Sequence, residues 1–142
     1  MSIANIEVPP RTLIVVAGEG NADTLPLAKR LREAGLSSIC MSNCHTQMEH
    51  VHQLKPDLIL LDAEIADEYY CRTDGRMRQD IPAIHIVSPD PASWTKAFAA
   101  GAVDCITKPV VTEELLARVR LQLQRRDVQK LSHASVVAVS AS

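Results

Sequence analysis

The chain is predicted to be an α/β domain: a five-stranded parallel sheet with helices on both faces. Five short aliphatic runs alternate along the sequence with segments of helical length, and strands joined by helical crossovers pair in parallel. The runs are largely unbroken rather than alternating apolar with polar, as in strands covered on both faces. With 142 residues, 46% of them hydrophobic, the chain has the size and composition of one domain with a real core.

Each element has its own signal. Residues 1–10 end in Pro9-Pro10 and are expected to be a flexible leader. Leu13-Ile14-Val15-Val16, closed by Ala17-Gly18, forms the first strand. Asp23 is expected to cap a helix carrying Leu27, Ala28, Leu31 and Ala34, with Pro26 in its first turn and Gly35 at its end. Ser38-Ile39-Cys40-Met41 is the second strand. Residues 44–54 suggest a weak helix with Met48 and Val51 inward, stopped by Pro56. Leu58-Ile59-Leu60-Leu61 is the clearest strand, and Asp62 follows at once. A helical pattern over 66–79 is interrupted by Asp74-Gly75. Pro82 opens the fourth strand, Ala83 to Val87, which Ser88-Pro89 ends. Residues 92–100 suit a helix ended by Gly101, and Val103 to Ile106 form the fifth strand, before Lys108-Pro109. Thr112 caps a last helix that runs to about Leu131.

That helix places Leu116, Val119 and Leu123 toward the sheet. Leu121, Val128 and Leu131 lie further round and point to a dimer or linker helix, short of a heptad run. Residues 127–142 are expected to be a helical extension followed by a linker or by the start of a missing output domain. Arg118, Arg120, Arg125 and Arg126 make the helix basic, as a solvated face near a helix C-terminus would be.

Composition excludes several classes. Fifteen Lys and Arg against seventeen Asp and Glu leave a net charge of −2, so no direct nucleic-acid contact is expected. Aromatics are 3% of residues, few for base stacking. No apolar run has membrane-spanning length, and MSIANIEVPPR lacks a signal peptide's basic and apolar regions. Cys40, Cys44, Cys71 and Cys105 are scattered, which suits reduced thiols in a cytoplasmic protein. Cys40, Cys44, His45, His50 and His52 match no common zinc spacing; a buried Cys40 beside solvent-facing histidines is the simpler reading. His85, within a strand, is expected to be a packed histidine.

Functional groups of open parallel sheets gather beyond the carboxyl ends of the strands. Ala17-Gly18-Glu19, Asp62 and Lys108-Pro109 fall there. Pro56-Asp57-Leu58-Ile59-Leu60-Leu61-Asp62, the stretch Gly101 to Pro109, and Glu114-Leu115-Leu116-Ala117-Arg118-Val119 together resemble the receiver domain of two-component response regulators over about residues 11–126. The resemblance implies flavodoxin-like strand order, with Asp62 as phosphoacceptor and Lys108 as the charge partner of the phosphoryl group. A histidine kinase or other signalling protein would be the partner, and the chain would be a signalling module, not an enzyme. It also implies Mg²⁺, a hard cation that neutralises the moving phosphoryl group. A homodimer through the fourth strand, fifth strand and last helix is implied on the same basis.

The sequence departs from that family at several positions. The acidic pair expected after the first strand falls on Ala17 and Gly18. Magnesium ligands then reduce to Asp62, Glu19 and the backbone carbonyl of Glu64, so binding should be weak. Five residues beyond Pro82 is Val87, which leaves Ser88 as the candidate hydroxyl switch, one residue out of register. The switch aromatic falls on Cys105. The favoured expectation is an atypical, pseudo-receiver docking or dimerising module with impaired or absent phosphorylation at Asp62. The alternative is a phosphorylatable receiver that takes a phosphoryl group on Asp62 from a histidine kinase. Asp62 and Lys108 also admit a plain structural reading, as an ion pair left at the strand ends. A small metal-binding or enzymatic α/β domain is the third class, with no other constellation of residues to support it.

Overall fold

A computed structural model describes residues 13–18, 21–41, 51–67 and 81–141. Five strands form one parallel sheet: β1 (Leu13–Ala17), β2 (Ser37–Met41), β3 (Leu58–Asp62), β4 (Ala83–Val87) and β5 (Asp104–Thr107), in the order β2-β1-β3-β4-β5. The three helices described in full are α1 (Asn21–Glu33), α2 (Pro91–Ala99) and α3 (Thr112–Ala141). Single 3₁₀ turns lie at Val51–Leu54 and Ala63–Ile65. Parallel strands separated by helical crossovers in this order are the flavodoxin-like arrangement.

Strand side chains alternate between the two faces with period two. Ile14, Val16, Leu58, Leu60, Ile84, Ile86 and Ile106 pack on one face against Leu27, Ala28 and Leu31 of α1 and against Leu115 and Val119 of α3. Val15, Ala17, Ile59, Leu61 and Ala83 pack on the other face with Val51, Ile65 and Ile81. There α2 covers the far end, with Ala97 against Val87, Ala102 and Cys105. Every residue of β3 and β4 is buried, which accounts for their unbroken apolar sequences. The start of the sheet is pinned by Asp57, whose Oδ2 accepts from Leu13 N–H at 2.8 Å while its own N–H donates to the Leu13 carbonyl at 2.8 Å.

Several boundaries differ from those the sequence suggested. α1 starts at Asn21, so Asp23 lies within the first turn instead of capping it, and Pro26 falls in the second turn. There the proline removes the N–H that would have reached the Ala22 carbonyl. Gly35 ends the helix as expected: it adopts φ 87°, open to glycine without penalty, and Leu36 N–H returns to the Leu31 carbonyl at 2.9 Å. β5 begins at Asp104, although Val103 N–H already donates to the Ala83 carbonyl at 2.9 Å. α2 is capped by Asp90, whose Oδ1 accepts from Ser93 N–H at 2.9 Å, with Pro91 at the first helical position.

Among the described side chains of α3, Leu115, Val119 and Gln122 are the buried positions, whereas Leu116 and Leu123 pack only partly against the core. The helix continues to Ala141, through the stretch expected to pass from helical extension into a linker or the start of an output domain. Cys40 is half-buried, not buried; the neighbouring Ser38 takes the inward position and donates to the Ala28 carbonyl at 2.8 Å. The expected leader, Met48, Cys44, His45, His50, Cys71 and the helical pattern from residue 68 to 79 lie outside the described residues.

Candidate functional site

Parallel strands bring their carboxyl ends to one edge of the sheet, and three chain segments meet there. Asp62 closes β3. Its Oδ1 accepts from Glu64 N–H at 2.9 Å, the local turn an aspartate makes with the backbone two residues on. Its Oδ2 lies 2.9 Å from Lys108 Nζ. The Asp62 side chain is 8% exposed and that of Lys108 37%. Lys108 follows β5 directly, its N–H donates to the Val87 carbonyl at 2.9 Å, and its peptide bond to Pro109 is cis. The same ammonium stands 4.0 Å from Glu64 Oε1. One cation thus faces two acids, and both Asp62 oxygens have a donor.

No family model matches the chain. Similarity to individual proteins is clear. The chain is 29% identical over 135 residues to the response regulator protein TmoT of Ectopseudomonas mendocina, covering 92% of the chain and 61% of TmoT. It is 28% identical over 132 residues to the DNA-binding response regulator MtrA of Mycolicibacterium paratuberculosis, covering 91% of the chain and 58% of MtrA. The chain therefore spans about three fifths of these relatives. Among solved structures, the signal receiver domain of a Luxo repressor protein from Vibrio parahaemolyticus superposes with a TM-score of 0.70 at 16% identity, over 86% of this chain and 97% of that one. A response regulator from Thermotoga maritima superposes at 0.67 with 24% identity, over 80% and 98%. In sequence and in fold, the chain resembles a response-regulator receiver domain.

A receiver-like domain implies a magnesium ion beside Asp62, and the described residues do not fit one. Ala17 and Gly18, at the end of β1, offer no side-chain oxygen. Asp62 already has both oxygens engaged, and the Glu64 carboxylate faces Lys108. Among the described residues, no group of three or more His, Cys, Asp or Glu is placed to share an ion. Glu19 lies outside the described residues.

Where the resemblance implies a switch hydroxyl and a switch aromatic, the chain has Val87 and Cys105. Val87 is buried on the face covered by α2. The chain leaves β4 at Ser88, whose carbonyl accepts from Asp90 N–H at 2.8 Å, so strand alternation no longer fixes where its side chain points. Ser88 lines a cavity of about 190 Å³ together with Glu64, Asp67, His85, Ser93 and Lys96. That places it at the same edge as Asp62's neighbour. Cys105 is fully buried beside His85 in register across β4 and β5. Burial, reinforced by the adjacent Asp104 carboxylate, pushes its thiol up to about 11. Burial holds His85 down at about 4, so its imidazole is neutral.

Sequence reasoning assigned Glu64 only a backbone carbonyl and missed both its N–H on Asp62 and its carboxylate toward Lys108. The Asp62-Ala63-Glu64 spacing carried the first of these, since aspartate commonly bonds the backbone two residues on. It also took Arg118 as solvated. Arg118 Nη1 instead grips both Asp104 oxygens at 2.7 and 2.8 Å, while its Nε donates to Glu114 at 3.1 Å, which raises its pKa further. Among the described residues, no helix is long and apolar enough to cross a membrane.

Proposed function

We propose that the chain is an atypical receiver domain over about residues 11–126, acting in two-component signalling as a regulatory docking or dimerising module. Magnesium-dependent phosphorylation at Asp62 is impaired or absent in this reading. One observation carries it: Ala17 and Gly18 stand where acids are expected at the strand edge beside Asp62, which leaves Lys108, 2.9 Å away, as the counter-charge of that carboxylate. Phosphoryl transfer to a carboxylate needs charge neutralised on the group in flight. With Ala17 and Gly18 in place of acids, a divalent ion at Asp62 has few oxygen ligands to bind. The partner is a histidine kinase or another signalling protein, and the setting is cytoplasmic.

The retained Asp62–Lys108 geometry favours a second reading. Lysine beside aspartate is also what an acyl-phosphate at Asp62 would use, and Glu19, Asp62 and the Glu64 carbonyl would then hold a weakly bound Mg²⁺. Ser88, at the same edge, would be the hydroxyl on the phosphoryl oxygens. Thermal melting with Mg²⁺ and beryllofluoride separates the two, because a ligand that binds only the folded state raises its melting temperature. The pseudo-receiver shows no shift that Asp62→Asn removes. A saturable shift lost in that variant favours the second reading.

A further inference from the structure

Gly18 stands beside Asp62 at the end of β1. A Cβ built on Gly18 would lie 3.9 Å from Asp62 Cβ, so an acid at position 18 would stand next to the Asp62 carboxylate. Two adjacent carboxylates repel, and a hard dication is the counter-charge that holds such a pair. The same Cβ would lie 2.8 Å from Thr24 Cγ2, well inside the carbon–carbon optimum of about 3.5–4.0 Å. Thr24 cannot yield cheaply. It is 2% exposed, β-branched and so stiff at χ1, and α1 is held to the sheet by Leu27, Ala28 and Leu31.

We propose that Gly18 and Thr24 form a lock that excludes a divalent cation from Asp62. The glycine withholds the second carboxylate, the threonine methyl fills the space that its Cβ would need, and Lys108 is left as the counter-charge. This deepens the reading of Asp62 as working without a metal. It makes the metal-free state a two-residue property, so restoring the acid at position 18 alone does not restore a cation site.

Two measurements on the full chain test the lock. In a double-mutant cycle followed by urea denaturation, Gly18→Ala lowers the folded-to-unfolded ratio at least about tenfold through overpacking, and adding Thr24→Ala recovers most of the loss. In calorimetric titrations with Mn²⁺ as probe, Gly18→Asp binds no tighter than the native chain. Gly18→Asp/Thr24→Ala binds at least about tenfold tighter, and adding Asp62→Asn removes the gain. The lock is overturned if the alanine cycle shows no coupling, if Gly18→Asp alone binds as tightly as the double variant, or if a folded double variant gains no affinity. Those outcomes leave the metal-free reading of Asp62 standing. Saturable Mn²⁺ binding by the native chain, lost in Asp62→Asn, overturns both.

Discussion

Lys108 and Lys96 each pair with an aspartate, yet the two pairs differ in kind. Lys96 meets Asp67 at 3.2 Å with side chains 69% and 77% exposed, a solvated contact. Lys108 meets a carboxylate that is nearly enclosed. Lys108→Ala is expected to cost about 1–2 kcal/mol, because it strands the buried charge on a single N–H donor, while Lys96→Ala stays within about 0.5 kcal/mol. Urea denaturation of the two variants checks the contrast. His85 supplies a pH dependence. Its value falls from 6.5 in the open chain to about 4 in the fold, so the unfolded state binds the extra proton. Stability from neutral His85 is complete above 6.5 and declines as pH falls toward 4, by roughly 3 kcal/mol at most. His85→Gln should flatten the wild-type loss in that window, measured by melting temperature against pH. Cys105, buried and raised to about 11, should resist iodoacetamide in the folded chain and react only after unfolding, as peptide mass mapping would show.

At the scale of elements, α3 has one face that stabilises the fold and others that do not. Leu115→Ala should cost about 2–5 kcal/mol, since Leu115 is fully buried on the sheet. Leu121→Ala, 43% exposed, should change stability by less than about 0.5 kcal/mol; denaturant midpoints distinguish them. The sequence pattern favoured Leu116 and Leu123 here because α3 carries leucines on neighbouring positions, and periodicity alone does not choose among adjacent stripes. Asp104 resolves only in three dimensions. In sequence it is a charged residue inside the expected strand Val103 to Ile106, and Arg118, whose Nη1 meets both its oxygens, lies fourteen residues on. The strands themselves were legible, β4 to the residue, because full burial on both faces leaves few sequences but aliphatic ones.

For the whole molecule, parallel topology and the edge where the site lies followed from the alternation of apolar runs with helical segments. The meeting of Asp62 and Lys108 followed from their places after β3 and β5. What the order of residues did not disclose is the packing at the end of β1. Thr24 and Gly18 are six positions apart and carry no motif, so the Thr24 methyl comes to occupy the space a side chain at position 18 would need only once α1 docks on the sheet. The site as a whole is a carboxylate whose counter-charge is built in. The most direct test of that claim is intact mass after incubation with acetyl phosphate and Mg²⁺, alongside Asp62→Asn, with folding verified by circular dichroism. No phosphoryl adduct is expected on either protein; an adduct on the native chain that is absent from the variant would contradict the claim.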